Sequence, residues 1–180
     1  MSSTGPPLWI AWLVLATVVA GGAAWLAARS GGDRDVAGRE ETLRPLPAFS
    51  LRGFDGQMVT DETLSGRPAV INFFASWCVF CIQEMPAFER VHARTADRVA
   101  FLGVALQDGE PAARRLARET GVTYALAFDE SGFFYRALRG FGMPVTAFIR
   151  ADGKIASVHS GPLSESQLQD AVDGLITGTS

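Results

Sequence analysis

Trp77-Cys78-Val79-Phe80-Cys81 holds both cysteines of this chain. Two thiols separated by two residues suit thiol–disulfide exchange. One thiolate attacks a disulfide sulfur, and the second thiol resolves the mixed disulfide that forms. The flanking sequence strengthens the reading. Ala69–Ala75 (AVINFFA) is a continuous apolar run, short enough for a buried strand. Val79–Thr95 has helical spacing, with Ile82, Met85, Phe88 and Val91 at intervals of three, and Pro86 is expected to kink it. A strand feeding a helix puts Cys78 at or just before the helix N-terminus, where free N–H groups and the dipole lower a thiol pKa. Cys81 falls about one turn further on, on the same face. The plainer alternatives are half a zinc site and a structural bridge. Two cysteines and two distant histidines do not make a tetrahedral zinc site. A bridge enclosing two residues would restrict the unfolded chain little. No metal or separate cofactor is therefore expected, only a redox-active disulfide Cys78–Cys81.

The rest of the chain must position that pair. Of 180 residues, 48 % are hydrophobic and 19 % charged, too apolar a composition for an intrinsically disordered protein. The net charge of −3 shows no basic excess, so no nucleic-acid partner is expected. Phe49–Leu51 and Met58–Thr60, around Asp55-Gly56, read as a hairpin. Val99–Leu106 and Tyr124–Phe128 read as strands, with helices at Glu110–Thr120 and Gly132–Leu138. Val145–Ile149 and Lys154–His159 form a second hairpin across Asp152-Gly153. Ser164–Ile176 closes the chain as a helix, with Ser164 as N-cap and Leu168, Val172, Leu175 and Ile176 facing inward. This order indicates an α/β domain with a mixed sheet. Phe73, Phe74, Phe133 and Phe134 are expected in the core, and His92 and His159 read as ordinary surface or partly buried residues. Glu84 lies three residues after Cys81, on the first helix turns, where a carboxylate suits the positive dipole end. Capping, substrate docking and catalysis remain equally open for it.

Leu8–Ala28 is a run of 21 residues without a charge. As a helix it would be roughly 31 Å long, the thickness of a bilayer core. Trp9, Trp12 and Trp25 lie near its ends, where indoles favour the headgroup region. Residues 1–28 therefore read as an N-terminal transmembrane anchor, with a cleaved signal peptide as the alternative. Residues 29–46 read as a solvated linker and residues 47–180 as the folded domain.

NFFASWCVFC, followed by Gln83-Glu84-Met85-Pro86, resembles the thioredoxin superfamily. It is most similar to the TlpA/ResA-like membrane-anchored thiol–disulfide oxidoreductases, which include the reductases of cytochrome c maturation. The resemblance covers about residues 45–176, and the Gly142-Met143-Pro144-Val145-Thr146 segment belongs to it. It implies a thioredoxin-like fold with an N-terminal hairpin and a strand–helix insertion at roughly residues 110–139. It implies that Pro144 is cis and lies against the disulfide, leaving the Met143 backbone to pair with an extended substrate, with Trp77 beside it. Asn72 stands six residues before Cys78, where thioredoxins proper carry a buried Asp, and an Asn cannot take the proton of Cys81. A carboxylate near the end of the next core strand would do so instead, and Asp108 matches that place. The plainer alternative for Asp108 is an exposed turn residue before Gly109.

The implied activity is reduction of disulfides in extracytoplasmic proteins such as apocytochrome c. The partners would be disulfide-bearing proteins, a membrane electron donor, and the lipid bilayer through residues 8–28. Three alternatives stay open: an oxidant of exported proteins, a peroxiredoxin-like protein and a metal-delivery protein. Ala75 stands where a peroxiredoxin needs Thr, and copper delivery would need one more residue between the cysteines. Phe80 replaces the Pro that many relatives carry before the second cysteine, so the potential is not inherited. The absence of His between the cysteines points towards a reductant. Arg29, Arg34, Arg39 and Arg44 after the span would, by the positive-inside rule, keep the domain in the cytoplasm. The resemblance implies the reverse, and the expected location is a single-pass cell-membrane protein with an extracytoplasmic catalytic domain.

Overall fold

The computed structural model describes residues 43–64 and 66–178. The apolar run 8–28 and the linker up to Thr42 lie outside the described residues. Among the described residues no helix is long and apolar enough to cross a membrane.

The chain order is β1 (Ser50–Gly53), β2 (Met58–Thr60), α1 (Asp61–Leu64), β3 (Ala69–Phe74), α2 (Val79–Thr95), β4 (Ala100–Leu106), α3 (Glu110–Thr120), β5 (Ala125–Asp129), α4 (Phe133–Ala137), β6 (Val145–Ile149), β7 (Ile155–Ser160) and α5 (Glu165–Thr177). The strands form one seven-stranded mixed sheet in the order β2-β1-β5-β4-β3-β6-β7. β3, β4 and β5 run parallel, β6 pairs antiparallel with β3, and β1 pairs antiparallel with β5. The inserted strand β5 thus sits between the N-terminal hairpin and the central strands. This is the α/β architecture and mixed sheet of a thioredoxin-like fold.

β3 is buried along its whole length because both its faces are covered. Alternation then sorts its side chains. Ile71 and Phe73 join Leu102, Val104, Ala147, Phe134 and Leu138 on one face. Val70 meets Phe88 and Val91 of α2 and Leu168, Val172 and Leu175 of α5 on the other. Phe74 continues that second face into a cluster with Cys78, Cys81, Met85, Ala113, Leu116 and Phe128. The dithiol therefore rests on the insertion as well as on β3. At the N-terminal edge, Leu46 N–H donates to Gly153 O at 2.9 Å and Ile155 N–H to Arg44 O at 2.8 Å. These bonds tie the last residues of the span read as linker onto the domain.

Two expectations change in detail. The buried residues of α2 are Cys81, Glu84, Met85, Ala87, Phe88, Val91 and Thr95. Ile82 faces solvent instead, because a repeat of strictly three drifts off a helix of 3.6 residues per turn. Phe133 and Phe134 also part company. Phe134 stacks on Phe49 at 4.2 Å and meets Phe73 at 5.6 Å, whereas Phe133 is 64 % exposed. On the short helix α4 neighbouring residues point apart, so only one of the pair reaches the sheet.

This division is measurable. Phe134→Ala should cost about 3–5 kcal/mol in denaturant unfolding, and Phe133→Ala no more than about 0.5. Equal costs would mean that α4 is rotated in solution.

Candidate active site

Cys78 and Cys81 form a disulfide, with Cα atoms 5.3 Å apart. Cys78 is the N-cap of α2, in extended conformation, and its sulfur accepts the Cys81 N–H at 3.2 Å. A sulfur there meets one of the N–H groups that the first helical turn leaves unpaired. As a thiolate it would gain from the same bond and from the dipole. The two sulfurs differ in access: Cys78 is 6 % exposed and Cys81 not at all. The turn that leads to them is pinned. Cys78 N–H donates to Ala75 O at 3.1 Å, and Ile82 N–H to Cys78 O at 3.1 Å. Asp108, just past the end of β4, accepts from the Ser76 N–H at 2.6 Å and from its hydroxyl at 2.7 Å. The Asp108 carboxylate is thus engaged by the loop beside the dithiol.

Trp77 is 62 % exposed, and Val79 and Phe80 are exposed with it. The Met143–Pro144 peptide is cis. Met143 packs against the cluster that contains both cysteines. Pro144 is buried, and its carbonyl accepts the Gly161 N–H at 2.9 Å. The candidate substrate residues are therefore brought to one end of the sheet, with the dithiol.

Glu84 is the residue whose place the sequence reading missed. It is 3 % exposed, inside the buried stripe of α2. Its Oε1 accepts from Asn72 Nδ2 at 2.9 Å, and its Oε2 from the Leu163 N–H at 2.9 Å. Asn72 Nδ2 also reaches Thr146 Oγ1 at 3.2 Å, across the β3–β6 pair that sets these two residues opposite each other. Among the described residues the buried Asn72 Oδ1 has no hydrogen-bond partner. Glu84 lies three residues after Cys81, a spacing that puts two side chains on one helix face about 5–6 Å apart. The signal was present: Cys81, Glu84 and Phe88 share that face. Among the described residues no group of three or more His, Cys, Asp or Glu is placed to hold a metal ion. His92 and His159 are both partly buried, and His159 stands opposite Thr146 in the β6–β7 pair.

Burial pushes the Glu84 carboxyl up to about 7, and the hydrogen bonds from Leu163 and Asn72 only partly offset it. The folded chain then keeps a proton that the unfolded chain has already released. Stability contributed by this proton is complete below the unfolded pKa of about 4.5, falls as pH rises towards about 7, and levels off above. In urea unfolding of the oxidised protein, wild type should lose as much as about 3 kcal/mol between about pH 5 and about pH 8 relative to Glu84→Gln. Parallel pH dependences would show that water reaches this carboxyl.

The comparisons with known proteins agree with this geometry. The chain is 26 % identical over 170 residues to thioredoxin-like protein YneN of Bacillus subtilis, covering 92 % of this chain and 96 % of that one. It is 32 % identical over 124 residues to the thiol:disulfide interchange protein DsbE of Pseudomonas fluorescens, covering 68 % of each. A solved structure of DsbF from Mycobacterium tuberculosis, in mixed oxidised and reduced forms, is 31 % identical with a TM-score of 0.67, covering 71 % of this chain and 94 % of that one. The Redoxin family model matches residues 43–175, from the first described residue into α5. With the whole sheet, the dithiol junction and the cis-proline loop inside that match, the chain belongs to the Redoxin family, within the thioredoxin superfamily.

Proposed function

We propose that this thiol–disulfide oxidoreductase works as a reductant of protein disulfides outside the cytoplasm, with apocytochrome c as its substrate. One observation carries the chemistry. Cys78 caps the helix and is the more accessible sulfur, while Cys81 is fully buried one turn behind it, on the face that also carries Glu84. In the reduced form the Cys78 thiolate attacks one sulfur of a substrate disulfide. A mixed disulfide forms, and the other substrate sulfur leaves as a thiolate that takes up a proton. Cys81 loses its proton and attacks the Cys78 sulfur. The mixed disulfide breaks, the second substrate sulfur leaves and is protonated, and the Cys78–Cys81 disulfide forms. Two electrons have passed to the substrate, and a dithiol donor at the membrane must return them.

The proton of Cys81 needs a nearby base, and in this reading Glu84, three residues on along the same helix face, takes it. A carboxyl with its pKa near neutrality exchanges protons readily at working pH, and burial supplies that pKa here. Asp108 instead fixes the turn. Its two bonds to Ser76 hold the segment that presents Trp77 and Cys78. Trp77 and the Met143–Pro144 segment receive the substrate chain, with the Met143 backbone pairing alongside it. The anchor at residues 8–28 would hold the domain at the membrane face, beside its electron donor. The relatives named as thiol:disulfide interchange proteins support this reading.

The roles can be trapped. In cells, Cys81→Ala should accumulate a mixed disulfide that resolves on non-reducing gels as a cross-link to apocytochrome c, and Cys78→Ala should not. Equal trapping by both variants would overturn the assignment of attacking and resolving thiols. Capture of folded exported proteins without cytochrome would favour the oxidant reading.

The location of the acid can be tested by moving it. Glu84→Gln should slow the resolving step about a hundredfold. Adding Asn72→Asp returns one carboxyl at the other end of a 2.9 Å hydrogen bond, and stopped-flow insulin reduction should recover most of that loss. Asn72→Asp alone would crowd two carboxylates together and raise the pH at which the pair ionises. A double variant no faster than Glu84→Gln would show that position 72 cannot serve Cys81.

A further inference from the structure

Phe141 is 83 % exposed. A single exposed aromatic is unremarkable by itself. This one, however, stands on a loop that the structure holds in place. The Tyr135 hydroxyl donates to Gly142 O, and Gly140 N–H donates to Tyr135 O at 3.0 Å. A Cβ at Gly140 would lie 2.4 Å from the Tyr135 ring, so only glycine lets the loop lie against that ring. Gly142 sits at φ +73°, a conformation that favours glycine. The Tyr135 ring is itself fixed edge-on against Phe73 of β3 at 5.4 Å. The outcome is a large apolar side chain presented to water from a braced support.

Its position is also set. β6 pairs with β3 so that Val145 faces Phe73. Met143, two residues after Phe141, packs against the cluster that holds both cysteines, so the loop that carries Phe141 adjoins the dithiol. Trp77, Val79 and Phe80 are exposed beside the disulfide. Neither Trp77–Gln83 nor Gly140–Thr146 contains a charged residue. Trp77, Val79, Phe80 and Ile82 of the first segment and Phe141 of the second are exposed apolar side chains at the dithiol end of the sheet, and no charge in either segment interrupts them.

We propose that Phe141 is a specificity-determining residue that grips an apolar side chain next to the substrate cysteine, so that polypeptide disulfides flanked by aromatic or aliphatic residues are preferred over those flanked by charges. This deepens the oxidoreductase reading and rests on it. The occupant is an extended disulfide-bearing segment, because the reactive disulfide lies at the same end of the sheet as these side chains. Burying Phe141 against such a side chain recovers apolar surface only when the substrate offers one. The contact acts on binding, so it enters through KM.

The test compares two peptide disulfides of equal length on the reduced full chain, one with Leu and Trp beside cysteine and one with Ser and Glu. Phe141→Ser should lower the apolar-over-polar ratio of kcat/KM about tenfold, mostly through KM, and Phe141→Leu should keep most of it. An unchanged ratio would overturn the proposal. So would an equal loss on both peptides, which would make Phe141 a support of the dithiol. Dissociation of a dimer by Phe141→Ser in sedimentation would assign the face to a second copy instead. Protection of Cys78 from alkylation by phospholipid vesicles, relieved by the same variant, would assign it to lipid. Failure of the wild-type dithiol to reduce either peptide would sink the oxidoreductase reading itself, which is a separate result.

Discussion

The start of α2 sets the terms for everything around it. A helix leaves its first N–H groups without partners inside the helix. Here one of them, on Cys81, points at the sulfur of Cys78. That arrangement lowers the cost of a thiolate at Cys78, and it requires that the chain turn sharply between β3 and α2. The turn is therefore pinned from outside by Asp108 on Ser76 and from inside by Cys78 N–H on Ala75 O. β3 in turn must be rigid, and burial of both its faces makes it so. The second sulfur is buried by the same geometry, since one turn into the helix is one turn into the core.

Burying Cys81 raises a difficulty that the buried polar pair answers in the proposed mechanism. A thiol with no access to water has nowhere to send its proton. The fold supplies a carboxyl on the same helix face and keeps it nearly dry. Desolvation of a carboxylate is costly, and two donors, Asn72 Nδ2 and Leu163 N–H, limit the cost without abolishing it. The Leu163 N–H immediately precedes the capped start of α5, where Ser164 and Gln167 close a capping box. The loop that leads into that helix also donates from Gly161 to Pro144. A single connection after β7 thus touches both the acid beneath the dithiol and the cis-proline segment beside it.

The insertion has a comparable double use. α3 gives Ala113 and Leu116 to the cluster under the disulfide, and β5 joins the hairpin to the central strands. α4 buries Phe134 and uses Tyr135 to brace the loop that carries Phe141. Packing and presentation are thereby divided among consecutive residues of one short helix. The exposed apolar side chains at this end include Trp77, Val79, Phe80, Ile82 and Phe141.

The sequence by itself was enough for the dithiol, its strand–helix junction, the order of the elements and the mixed sheet. These depend on local signals: a short apolar run, helical spacing, a cap at Ser164 and turns at Asp55-Gly56 and Asp152-Gly153. Only the tertiary structure decided where Glu84, Asp108, Phe133 and Phe141 sit and what they meet. Each is a residue whose environment is made by chain far away in sequence. Glu84 meets Asn72 and Leu163, 12 and 79 residues away, and Asp108 meets Ser76, 32 residues away. An acid at a helix start is ordinarily solvated, and no local pattern reveals that a strand and a later loop will close over it. Likewise the Phe133-Phe134 pair reads as uniformly apolar, and only the docking of α4 on the sheet selects which ring is buried. Periodicity reports which face of an element is apolar, but burial and electrostatics depend on what is packed against that face.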